Sequence, residues 1–155
     1  MPAFERALAE KVMCAHAVAL NSATSALHVA CLALEVGAGD VVWTCPNSFV
    51  ASANCARLCG AEVDFVDVNP STLCMDASAL REKLQECRKS GKLLPKVVIA
   101  VHFAGLSCDM PQIHRLGQEF GFRIIEDASH AVGSKVQFEG DRTPCLLYTS
   151  DAADE

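Results

Sequence analysis

The sequence predicts an α/β fold of three layers, a mainly parallel sheet covered by helices on both faces. Three observations carry that expectation. Short, nearly continuous apolar runs alternate with longer segments patterned at helical spacing, four or five times along the chain. No sequence-level repeat and no low-complexity stretch interrupts the alternation. Polar clusters at 21–25, 44–49, 102–105 and 126–130 each follow an apolar run, which in a parallel sheet brings them to the carboxyl rim where ligands gather.

Taken in order, residues 4–13 read as a helix, with Phe4, Ala7, Leu8 and Val12 at helical spacing. Ala15 to Leu20 is a short apolar run, expected as a strand and ended by Asn21-Ser22-Ala23-Thr24. A second helix carries Leu27, Cys31 and Leu34 on one side and stops at Gly37 and Gly39. Val41 to Thr44 is a strand, and Cys45-Pro46-Asn47-Ser48 is expected to open a helix running to Cys59-Gly60. Val63 to Val68 is a strand closed by the Asn69-Pro70 turn. Asp76 to Arg88 is amphipathic, with Leu80 and Leu84 on one side. Lys96 to Val101 is a strand, Asp109 caps a helix that has Pro111 in its first turn, and Arg123 to Glu126 is the next strand.

Composition narrows the function classes. The chain has 155 residues, enough for one domain with a sizeable core, and 51% hydrophobic against 21% charged residues argues for a folded chain. A net charge of −6 argues against nucleic acid, which demands a basic face. The one basic run, Arg88-Lys89-Ser90-Gly91-Lys92, reads as a solvated loop. No apolar stretch reaches the roughly 18 residues of a membrane helix, and residues 1–6 lack the apolar stretch of a signal peptide. The expectation is a cytoplasmic protein with no membrane partner. Nine cysteines without an export signal then read as reduced, mostly buried thiols, and with no Cys-x-x-Cys no metal site is expected.

Four segments carry candidate chemistry. At Asn21–Leu27 small residues lead into a helix, whose free N–H groups and dipole make an anion site to which Thr24 and Ser25 add hydroxyl donors. The same residues also read as an ordinary Ser/Thr cap. Phe49, expected in the first turn of its helix, can offer a flat face to a heteroaromatic ring or can be core. Glu126 and Asp127 end a buried strand; if both stay extended they point to opposite faces, and only one serves a given site. Asp127 also reads as a helix cap with His130 incidental. His102, in His102-Phe103-Ala104-Gly105, is open between a ligand-facing and a structural role.

In combination, a phosphate cradle, a ring-stacking aromatic and a rim carboxylate, in that order, resemble the DegT/DnrJ/StrS family of sugar aminotransferases. The resemblance covers about residues 4–140, with Asn21–Leu27, Pro46–Asn54 and Glu126–Gly133 matching in order and spacing. It implies that residues 1–144 are part of the large domain of a fold-type I transferase that uses pyridoxal 5′-phosphate. Thr24 and Ser25 would hold the cofactor phosphate and Phe49 would stack on its ring. Asp127 would keep the ring nitrogen protonated, and His130 would lie beside the ring oxygen in a supporting role. The phrases NSATSALHVA, PNSFVASAN, CGAEVDFVDV and VIAVHFAG look most like the transaminases of pseudaminic-acid biosynthesis. That likeness implies a UDP-linked 4-keto-6-deoxy-N-acetylhexosamine as substrate, glutamate as amino donor, and a homodimer.

The pattern departs from the family downstream. The cofactor-bearing lysine belongs to a Ser-Phe-His-x-x-Lys-like segment that is absent here; Lys135 is the only lysine after Asp127, and its Gly133-Ser134-Lys135-Val136 setting matches a strand instead. The expectation is a catalytically inactive N-terminal fragment that also lacks residues before Phe4. Residues 145–155 look like an in-frame translation of a sequencing-library adapter and are set aside as non-native. Two rivals stand beside the transaminase: a dehydratase of the same family with histidine in place of the lysine, and a non-catalytic, aminotransferase-like ligand-binding domain. A nicotinamide-binding fold ranks last, because no Gly-x-Gly-x-x-Gly follows the first strand.

Overall fold

The computed structural model describes the backbone of residues 1–138 and 141–144, and the side chains of residues 1–134. Its centre is the strand Val97–Val101, buried at all five positions. A valine or isoleucine fully buried there contributes about 1.5–3 kcal/mol, so this apolar run has no stable place except between two helical layers. The other strands of the main sheet are β1 (Val41–Thr44), β2 (Glu62–Phe65) and β4 (Arg123–Asp127), which makes the central one β3. All four are parallel, in the order β2-β1-β3-β4.

Helices α2 (Ala23–Ala33), α3 (Ala51–Leu58), α4 (Ala77–Ser90) and α5 (Met110–Phe120) complete the three-layer arrangement, whereas α1 (Pro2–Val12) buries no residue. Alternation along the strands shows which helix covers which face. Trp43 faces α4, where the Lys83 ammonium lies 4.8 Å from its ring centroid. Glu126 reaches His114 on α5, while its neighbour Asp127 reaches Ser52 on α3. The acid pair is therefore split between opposite faces, as an extended strand requires. On the Asp127 face α2 packs on α3 through Cys31 and Cys55, whose sulfurs are 3.7 Å apart. On the other face Arg88 of α4 stacks over Phe120 of α5 at 4.0 Å. Gly117 lets α5 come close to the sheet: a Cβ there would meet the Phe122 carbonyl at 3.2 Å.

Helix ends follow the side chains that cap them. Asp76 accepts from the Ser78 and Ala79 amides, and Asp109 from Gln112, so α4 and α5 start at their predicted aspartates. Two expectations fail. Ala15–Leu20 forms no strand; it is irregular chain without a buried residue, tied back where the Ala19 amide donates to Glu5 Oε1 at 2.9 Å. Three of its six residues are alanine, which offers little area to a sheet. The third helix also starts later than predicted, at Ala51 with Val50 as N-cap, leaving Cys45–Phe49 as loop.

The Gly133–Val136 segment does enter a strand, β5 (Lys135–Phe138), which pairs antiparallel with β6 (Asp141–Pro144) in a separate two-stranded sheet. The proposed adapter translation at 145–155, and the side chain of Lys135, lie outside the described residues. Among the described residues no helix is long and apolar enough to cross a membrane.

Candidate functional site

The strand order contains its own pointer to a site. From β1 the chain moves outward to β2, then returns past β1 to lay down β3 and β4. The carboxyl ends of β1 and β3 therefore flank the switch point of the sheet, where loops diverge and leave a crevice. A cleft of about 200 Å³ lies there. Its wall is made by Asn47, Ser48 and Phe49 after β1, by Val101, His102 and Phe103 at the end of β3, and by Asp127, Ser129 and His130 at the end of β4.

Three of the five predicted site residues thus share one cleft. Phe49 is 69% exposed, so its ring is open to the cleft and is not part of the core. It precedes α3 instead of standing in its first turn, and its carbonyl accepts from the Ser52 amide at 3.1 Å. His130 is exposed in the turn after β4. Asp127 is buried, with 6% of its surface exposed. Its Oδ1 accepts from the amide and hydroxyl of Ser129, and its Oδ2 from the Ser52 hydroxyl at 3.0 Å. A carboxylate has about four lone-pair directions, so one stays open to a further donor. The Ser129 bonds form an Asx turn rather than a helix cap, since no helix follows.

Thr24 and Ser25 are not part of that wall. They lie in the first turn of α2, where Ser22 is the N-cap and accepts from the Ser25 amide at 3.2 Å. Among the described residues nothing accepts from the amides of Ala23 and Thr24, which leaves two donors at the positive end of the helix dipole. Thr24 is exposed; the Ser25 hydroxyl is paired with that of Ser22 at 3.1 Å. A side-chain cap and two open amides coexist here.

His102 is structural. It is fully buried, its Nδ1 accepts from the Cys108 amide at 3.2 Å, and its Nε2 lies 2.9 Å from Glu126 Oε2. With Nδ1 accepting, Nε2 carries the proton and donates to Glu126. The loop beyond it is tightly turned, with Ala104 at φ 51° and Gly105 at φ 85°. A Cβ on Gly105 would approach the His130 carbonyl to 3.2 Å, so glycine lets this loop pack beside the turn that carries His130.

The serines went unnoticed in the sequence. Ser48, Ser52 and Ser129 surround Asp127, and Ser48 Oγ lies 2.6 Å from Ser52 Oγ. The only trace was the four-residue spacing of Ser48 and Ser52. Behind them, burial pushes the Cys45 thiol up, with the Asp127 charge a smaller contributor in the same sense. Cys45 stays a neutral wall.

An α/β sheet with a rim cleft holding a buried carboxylate and an exposed aromatic is a frame that can seat a small ligand at the switch point. The DegT/DnrJ/EryC1/StrS aminotransferase family profile matches residues 1–142, and the chain belongs to that family. Among similar solved structures, a DegT/DnrJ/EryC1/StrS aminotransferase from Brucella abortus is 33% identical, with a TM-score of 0.78 over 83% of this chain and 34% of that one. An aminotransferase from Psychrobacter cryohalolentis is 32% identical, with a TM-score of 0.77 over 87% and 32%. NtdA from Bacillus subtilis, solved with bound cofactor PMP, is 30% identical, with a TM-score of 0.76 over 85% and 29%. This chain spans about a third of the length of those proteins. The family's cofactor is pyridoxal 5′-phosphate, and the residues present fit it. The cleft offers a flat face and a carboxylate with a free acceptor position, and α2 offers open amides.

Proposed function

We propose that the protein containing this chain transfers an amino group, by pyridoxal-phosphate chemistry, to the 4-keto carbon of a UDP-linked 6-deoxy-N-acetylhexosamine. Glutamate is the amino donor, the product serves pseudaminic-acid biosynthesis, and the enzyme works as a homodimer. The single observation that supports this most is the meeting of buried Asp127, exposed Phe49 and His130 on one cleft at the sheet's switch point.

When bound, the cofactor supplies an electron sink for charge developing at the reacting carbon. Asp127 would hold a proton on the ring nitrogen, Phe49 would cover one ring face, and His130 would stand beside the ring oxygen. Thr24, Ser25 and the amides at the start of α2 take the phosphate. A lysine would carry the cofactor; Lys135 is read as structural, because its Gly133-Ser134-Lys135-Val136 setting opens strand β5.

The test is an assay of the complete protein with the UDP-4-keto sugar, pyridoxal phosphate and glutamate. Release of 2-oxoglutarate with formation of the 4-amino sugar is expected. Loss of water from the sugar without consumption of glutamate would identify a dehydratase instead, and absence of both reactions would favour a ligand-binding domain.

A further inference from the structure

Asp127 is held by two kinds of hydrogen bond that differ in origin. The Ser129 bonds are local, two residues along the chain, and come with the turn itself. The Ser52 bond spans 75 residues and joins α3 to the end of β4. Ser52 is 1% exposed, so its hydroxyl has no water to turn to. A serine hydroxyl has one proton. Ser52 spends it on Asp127 Oδ2, so at the 2.6 Å contact with Ser48 it must be the acceptor. The proton order is thereby set: Ser48 donates to Ser52, and Ser52 donates to Asp127. Ser48 lines the cleft, and with its proton committed inward it presents only lone pairs there.

We propose that Ser52 is a positioning residue for the cofactor ring, acting through Asp127, and that Ser48 orients Ser52. This rests on the reading that Asp127 meets the ring nitrogen. By occupying one side of Oδ2, Ser52 leaves the other lone pair aimed at the cleft and prevents the carboxylate from rotating about its last bond. The hydroxyl pair couples the loop after β1, which carries Phe49, to the strand end that carries the acid. Ring face and ring nitrogen are thus held by one connected set of bonds.

The experiment uses the complete protein that contains this chain, freed of cofactor, and pyridoxamine 5′-phosphate labelled with ¹⁵N in the ring, a probe that needs no covalent link to lysine. Affinity is read by fluorescence titration and ring protonation by the ¹⁵N shift, for the unsubstituted protein and for Ser52→Ala, Ser52→Thr, Ser48→Ala and Asp127→Asn. Ser52→Ala is expected to bind about tenfold more weakly, the scale of one hydrogen bond to a charged group. Its ring ¹⁵N shift should move toward the unprotonated position. Ser52→Thr keeps the hydroxyl and should restore both readings, and Ser48→Ala should lose less than Ser52→Ala. A Ser52→Ala protein with unchanged affinity and shift, while Asp127→Asn is impaired, would overturn the relay and leave the Asp127 reading intact. A Ser48→Ala loss larger than that of Ser52→Ala would place Ser48 on the ligand itself and overturn the order. An unimpaired Asp127→Asn protein, or no saturable binding by the unsubstituted complete protein, would sink the cofactor reading and the relay with it.

Discussion

Ser52 Oγ donates to Asp127 Oδ2 at 3.0 Å, and that bond pins the start of α3 to the end of β4 in the buried layer beneath the cleft. Because Asp127 also takes two donors from Ser129, the carboxylate stands in one orientation before any ligand arrives. A preset acceptor binds without first losing rotational freedom.

Phe49 is left open. Since 69% of it is exposed, truncation removes little packing from the folded chain. Phe49→Ala should shift unfolding stability by no more than about 0.5 kcal/mol, the usual range for surface changes. The same variant should weaken pyridoxamine phosphate binding by roughly 3- to 10-fold, the scale of one aromatic stacking contact. Urea denaturation and fluorescence titration of the same preparation check the pair. A large stability loss with unchanged binding would make Phe49 a core residue.

His102 is fixed. Replacing it with alanine leaves the Cys108 amide and the Glu126 carboxylate without their partner and opens a void in the core. The variant should lose about 3 kcal/mol or more. Glu126→Gln keeps an oxygen to accept from Nε2 and should cost less than about 1 kcal/mol. Equilibrium denaturation of both separates the two effects; equal losses would mean that the His102–Glu126 pair depends on charge.

The acid limb of stability should report Asp40. The Lys96 ammonium, 2.8 Å away, holds the Asp40 carboxyl below its usual range, with the Gly37 amide adding to the effect. A carboxyl whose pKa is lower in the folded chain contributes stability that is present above the ordinary carboxylate value and lost as pH falls through the folded one. Stability should therefore fall between about pH 4 and lower values. Asp40→Asn should flatten that limb, seen by denaturation at stepped pH. An unchanged slope would assign the acid sensitivity to other groups.

Much of this was legible in the sequence because the signals were local. Asp76 and Asp109 announce helices through side chains that cap amides two or three residues on. The buried run Val97–Val101 announces a central parallel strand, since its residues find no water on either face. Alternation also separated the acid pair correctly, with Glu126 toward His102 and His114 and Asp127 toward Ser52.

What was not legible depended on partners distant in the chain. Ala15–Leu20 is apolar enough for a strand, but pairing is decided by a neighbouring edge, and none takes it. The Ser52–Asp127 bond spans 75 residues, and beyond its four-residue spacing from Ser48 nothing local marks Ser52 as more than a helix-face hydroxyl. The helix after β1 starts later than its sequence suggests, because Pro46, Asn47 and Ser48 are good starting residues whereas Val50 caps it through its backbone alone. His102 was ambiguous for the same reason: Cys108 and Glu126, which occupy its two ring nitrogens, come from the following loop and the next strand.

The most direct test of the central claim is a crystal structure of the complete protein with pyridoxamine 5′-phosphate. The ring nitrogen should stand within hydrogen-bond reach, about 2.7–2.9 Å, of Asp127 Oδ2, with the ring against Phe49 and the phosphate at the amides of Ala23 and Thr24. A cofactor seated away from Asp127, or with its phosphate far from the start of α2, would contradict it.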